Sequence, residues 1–131
     1  MHFLLLYNTF KLFLLSMKKW FTKVNDIEIT FYIGSTQQDN KELIDKSADH
    51  DMWFHVSDYP SAHVVCNLSE LCITDKKILR KIIKQGALCC KIHSKYANQK
   101  NLKIVYCLIK NLETTEIAGK VIPHNEKYIT I

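Results

Sequence analysis

Residues 75–96 constrain the fold more tightly than any other stretch. At about 100° per residue, Lys77, Arg80, Lys81, Lys84, Lys91 and Lys95 fall within about 60° of one line, and Ile78, Leu79, Ile82, Ile83, Cys89 and Cys90 lie opposite. A helix divided in this way must bury its apolar side against another element and leave its cations in water. Thr74-Asp75 supplies an N-cap, and Asn98-Gln99-Lys100-Asn101 breaks the pattern. The surface for the helix to lie on comes from strand patterns on both sides of it. Residues 20–24 and 27–33 read as strands around an Asn25-Asp26 turn, with Ile27, Ile29, Phe31 and Ile33 alternating with polar neighbours until Gly34. Residues 52–56 and 62–67 read as two more, joined by a turn with Asp58 and Pro60 as punctuation. Residues 102–109 place Leu102, Ile104, Tyr106 and Leu108 on one face. Residues 113–116 read as a polar loop. Residues 120–122 and 128–131 read as a last hairpin turned by His124-Asn125-Glu126. Asp39 or Asn40 can cap a short helix ending near Ser47. The expectation is an α+β single domain: a mainly antiparallel sheet, one long amphipathic helix packed on it, and one short helix.

Charge separates sharply along the chain. Residues 36–75 hold eight acids and two lysines, whereas residues 76–103 hold nine basic residues and no acid. A merely solvated helix face interleaves glutamates with its lysines, so an acid-free block of this size predicts a polyanionic partner. The site expected for nucleic acid is therefore Lys77, Arg80, Lys81, Lys84, Lys91, Lys95, Lys100 and Lys103. All the basic residues but Arg80 are lysine, which acts on phosphate as a point charge, so backbone recognition is expected over base reading. A hydrophobic content of 47% with 24% charged residues excludes disorder. Residues 1–16 form an apolar extension too short for a bilayer span, which needs about 20 residues. They read as an interfacial anchor or as a mis-assigned start ahead of Met17, with the domain occupying 17–131. The five cysteines (Cys66, Cys72, Cys89, Cys90 and Cys107) are odd in number and make no CxxC. They read as reduced thiols in a cytoplasmic compartment.

Chemistry-bearing residues are densest in Asp51-Met52-Trp53-Phe54-His55-Val56 and Ser61-Ala62-His63-Val64-Val65. His50, His55 and His63 match no standard zinc spacing, and no cysteine stands in ligand spacing with them, so no metal is expected. Cys66 and His63 are three apart on a strand and point to opposite faces, which argues against a thiol nucleophile. Without a phosphate-cradling glycine loop, neither an enzyme nor a small-molecule substrate or cofactor is expected. The stretch reads as a scaffold in which Asp51, His55 and His63 form a polar network. One of Trp53 and Phe54 faces the core, and Tyr59 at the turn tip is the best-placed aromatic for stacking on a base.

Gly34, Asn40, Leu43, Asp51-Met52-Trp53-Phe54-His55, Asp58, Pro60, Ser61-Ala62-His63-Val64 and Gly119-Lys120-Val121 together resemble the NFACT-R family. This is the RNA-binding module of the fibronectin-binding-protein-A-like and ribosome-quality-control proteins, and it also occurs in a short stand-alone form. The resemblance spans about residues 20–131 and implies a compact α+β domain that binds RNA, tRNA or ribosomal RNA. It assigns Gly34, Asn40, Asp51, Trp53, Phe54, His55, Ser61, His63 and Gly119 to the family motif. In the large relatives this module helps position tRNA on stalled large ribosomal subunits. The basic residue usual after the first glycine is Ser35 here, and residues 112–116 replace a lysine-rich run, which concentrates the positive charge on the helix and on Lys100, Lys103 and Lys110. The expected function is a non-enzymatic RNA-binding module, with the ribosome as a further partner. The alternative is a protein-interaction or membrane-surface module using the basic face and the apolar leader.

Overall fold

The structure is a computed structural model and describes residues 17–131. The extension expected at 1–16 lies outside the described residues. Eight strands and three α-helices follow in the order β1 (Lys18–Val24), β2 (Ile27–Gly34), α1 (Gln37–Lys46), β3 (Met52–Val56), β4 (His63–Cys66), α2 (Leu68–Leu71), α3 (Lys76–Ile92), β5 (Lys103–Leu108), β6 (Leu112–Thr114), β7 (Val121–Pro123) and β8 (Lys127–Thr130). Six strands make one antiparallel sheet in the order β1-β2-β4-β3-β5-β8, and β6 pairs with β7 in a small second sheet. The β1–β2 hairpin closes on Asn25 and Asp26, both at positive φ (49° and 66°), as a tight hairpin turn requires.

Two cores lie on the two faces of this sheet. On one face α3 packs Ile82, Ala87, Cys89 and Cys90 against Ile29, Phe31, Phe54, Val56, Val64 and Ile104. On the other face Leu43 and Ile44 of α1 meet Trp53, Val65, Val105 and Cys107. Trp53 and Phe54 are neighbours in β3 and therefore anchor opposite cores. Burial on both sides explains why Met-Trp-Phe-His-Val and His-Val-Val-Cys do not alternate between apolar and polar, unlike β2 nearer the edge. Gly86 lets α3 come close: a Cβ there would stand 2.7 Å from Cε2 of Phe54.

Several boundaries differ from the sequence expectation. α1 starts at Gln37, and its cap is Thr36, whose hydroxyl accepts from the Asp39 N–H at 3.0 Å. The end of α3 comes at Ile92, so Lys95 sits in the turn beyond it. The cap at Asp75 is as expected, its carboxylate accepting from the Lys77 and Ile78 N–H groups at 2.8 and 3.3 Å. No hairpin joins residues 120–122 to 128–131. β7 pairs with β6, β8 pairs with β5, and part of the loop expected at 113–116 is strand. Short apolar runs specify a strand but not its partner, which is settled here by the second core that β6 and β7 help to cover. α2 gave no periodic signal because it is a single turn.

Candidate nucleic-acid interface

The basic helix presents a narrower cation cluster than its sequence suggests. Lys77, Arg80, Lys81 and Lys84 are exposed on the side of α3 away from the sheet. Lys81 reaches the β1–β2 turn, where its ammonium donates to the Asn25 side-chain oxygen at 3.0 Å. Lys91 is half-buried and donates to the Ile131 carbonyl at 3.0 Å, which ties α3 to the end of the sheet. Lys95 and Lys100 lie in the turns after the helix. Lys103 points away from α3: it shares a face with Val105, and its ammonium lies 4.3 Å from the centre of the Tyr128 ring.

On that other face, strands β3, β4, β5 and β8 and the segment before β7 enclose a groove of about 520 Å³. Trp53, His55, Ser61, His63 and Gly119 of the family motif all line it, joined by Tyr59, Lys120 and Tyr128. The Trp53 and His55 rings stack at 5.6 Å, and His55 and His63 meet edge to face at 4.9 Å. Gly34 and Asn40 stand just behind. Gly34 pairs with His63, the Asn40 side-chain oxygen accepts from the His63 N–H at 3.4 Å, and a Cβ on Gly34 would collide with that oxygen. Gly119, at φ 77°, would put a Cβ 2.7 Å from the Gln37 carbonyl. The motif glycines therefore seat the first turn of α1 against the groove wall.

Hydrogen bonds fix both histidine tautomers. The Trp53 indole N–H donates to Nδ1 of His63 at 3.0 Å, so the proton of neutral His63 is on Nε2. His55 Nδ1 lies 2.6 Å from the Val56 carbonyl, which can only accept, so its Nε2 carries the lone pair. Burial, reinforced by neighbouring His55, holds the His63 imidazolium down to a pKa of about 3. Burial also lowers His55, against the opposing effect of the Val56 carbonyl. Above pH 6.5, His63 is neutral in the folded and unfolded chains and contributes nothing to pH dependence. Below it the unfolded chain takes up a proton that the folded chain refuses until about pH 3. Stability should thus fall by up to about 1.4 kcal/mol per pH unit across that window. In urea unfolding, the advantage of wild type over His63→Gln should shrink by roughly 2–3 kcal/mol between pH 6.5 and 4.5. Parallel losses in the two proteins would show that His63 is not the source.

Asp51 is not part of this network. It sits at the entry of β3, where its carboxylate accepts from the Ala48 N–H (2.9 Å), the Ser69 N–H (3.1 Å) and the Ser69 hydroxyl (2.6 Å). Its carbonyl accepts from the Ile109 N–H at 2.9 Å. The residue fastens the α1–β3 loop, α2 and the segment after β5 to one another and does not touch the histidine pair. Ser61 shapes the β3–β4 turn, accepting from the Val56 N–H at 3.1 Å. Tyr59 is exposed at that turn, as expected, with its ring 5.2 Å from Tyr96. All five cysteines are free. Burial pushes the thiols of Cys66, Cys89, Cys90 and Cys107 up to about 12, out of the nucleophilic range at neutral pH. Among the described residues no cluster of three or more His, Cys, Asp or Glu could hold a metal, and no helix is long and apolar enough to cross a membrane. The groove itself was missed from the sequence. Its walls come from segments up to 91 residues apart, Gln37 to Tyr128, and only the motif residues and Gly119-Lys120 signalled it.

The domain is thus α+β, with a basic helix on one face of its antiparallel sheet and an aromatic groove on the other. The pattern of the NFACT protein RNA binding domain family matches residues 17–128, and the chain belongs to that RNA-binding family. The chain is 33% identical over 113 residues to the coiled-coil domain-containing protein 25 homolog of Dictyostelium discoideum, covering 82% of this chain and 53% of that protein. It is 30% identical over 118 residues to mouse coiled-coil domain-containing protein 25, covering 84% and 54%. The chain thus spans about half the length of the curated relatives it matches. The fold is shared with the C-terminal part of the fibronectin/fibrinogen-binding protein of Streptococcus suis, at a TM-score of 0.70 and 21% identity over 87% of this chain and 45% of that one.

Proposed function

We propose that the protein grips structured RNA, tRNA or ribosomal RNA, through the phosphates that meet Lys77, Arg80, Lys81 and Lys84, with Lys95 and Lys100 extending the contact. The observation that carries this reading is the exposed side of α3 in a 28-residue block with no acid. In the crowded field of an RNA backbone such a face gains by counterion release, largely without regard to sequence. The resemblance carried by the motif residues implies a place in translation or ribosome quality control. Free and mostly buried thiols support a cytoplasmic setting. Charge reversal at Lys77, Lys81 and Lys84 is the test: tRNA binding should be lost while the fold is kept. Unchanged tRNA affinity in that variant would sink the reading.

A further inference from the structure

We infer that the groove between β3, β4 and the segment before β7 receives one unpaired nucleobase of the bound RNA, taken edge-on by His55 and His63. This rests on the RNA-binding reading above and adds a second contact on the opposite side of the sheet from α3. The argument starts from the fixed tautomers. With Nδ1 of His63 accepting from Trp53 and Nδ1 of His55 donating to Val56, the pair offers the remaining nitrogens as one donor, His63 Nε2–H, and one acceptor, His55 Nε2. Neither Nε2 has a hydrogen-bond partner among the described residues, and both residues line the groove, His63 as part of its buried wall and His55 half-buried beside it. A donor beside an acceptor complements the Watson–Crick edge of any base, each of which sets an acceptor next to a donor. That edge is free only in unpaired nucleotides, the usual target of sequence-tolerant RNA binders.

The surroundings fit the same occupant. The volume of about 520 Å³ lies within the range of ligand clefts, roughly 300–1,000 Å³. Tyr59 and Tyr128, both exposed large side chains, stand in the lining as platforms for a π-face. Lys120 lines the groove and the Lys103 ammonium lies over the Tyr128 ring, against the lining carboxylate of Asp58 and that of Glu126, which is hydrogen-bonded to the Tyr128 side chain. The groove therefore has its own cations for the flanking phosphates and does not depend on α3 for them. Both histidines stay neutral at physiological pH, which keeps the donor–acceptor pair intact.

The test is an NMR titration of the full chain with labelled histidine and tryptophan rings, using a single-stranded RNA pentamer and a blunt-ended RNA duplex. The pentamer should shift the Trp53 indole and the His55 and His63 Nε2 signals, and the duplex should leave them in place. His55→Ala should weaken the pentamer about tenfold, as expected for one lost hydrogen bond of about 1–1.5 kcal/mol. Shifts confined to α3 with either RNA would overturn the base site and leave the phosphate grip standing, as would groove signals that move equally with the duplex. If neither RNA binds, the reading on which the base site rests falls with it.

Discussion

Replacing Phe54 with alanine should cost the fold about 3–5 kcal/mol, the usual loss for a fully buried phenylalanine. Its ring is 0% exposed, edge-on to Phe31 at 6.2 Å and stacked on Tyr106 at 6.0 Å, with α3 pressed against it at Gly86. Removing it deletes the contact on which the long helix rests, against a total stability that for such domains is only about 5–15 kcal/mol. In urea unfolding the midpoint should fall sharply with little change in slope. The same contact makes a second substitution informative. Gly86→Ala alone should destabilise, because its methyl meets the Phe54 ring. In the Phe54→Ala background the methyl has room, and alanine gains about 1 kcal/mol of helix propensity over glycine. The pair should therefore be strongly non-additive, the double variant being more stable than Phe54→Ala alone. Additive losses would show that α3 does not rest on this ring.

Reversing Lys77, Lys81 and Lys84 to glutamate should lower tRNA affinity by about 100- to 1,000-fold near 0.1 M salt, from three lost phosphate contacts at about 0.7–0.9 log units each. The fold should survive. All three side chains are exposed on α3, and the Lys77 change adds an acid to the first turn, where the helix dipole favours it. Arg80 also remains, three residues after position 77 and four before position 84, to offset the new charges. Lys81 gives up one exposed hydrogen bond to Asn25, a contact of small consequence for stability. Circular dichroism and an unaltered melting temperature would establish that lost binding is not lost structure.

The long helix was legible because its two faces carry different chemistry at a 3.6-residue period, and the Asp75 cap because the residue type fits only that role there. β1 and β2 were legible from alternation and a turn that tolerates positive φ. The pairing of β7 and β8 was not, since three or four residues of mixed polarity specify extension without specifying a neighbour. At the site, the family motif pointed to Trp53, His55 and His63, and the structure brings these together with Ser61 and Gly119. What could not be read from the chain was that Asp51, four residues from His55, belongs to a different cluster at the other end of β3. Nor could it be read that Lys103 turns away from the other cations. Both depend on strand direction and pleat relative to elements distant in sequence. The split of Trp53 and Phe54 between two cores follows from alternation alone, but only once both faces of the sheet are known to be covered.

The most direct test of the account is the salt dependence of tRNA binding by wild type and by the Lys77→Glu, Lys81→Glu, Lys84→Glu variant, measured side by side from about 50 to 200 mM monovalent salt. The predicted result is a steep linear fall of log affinity with log salt for wild type, and a slope smaller by about 2–3 for the variant. Equal slopes and equal affinities in the two proteins would contradict the claim that the α3 lysines carry the RNA.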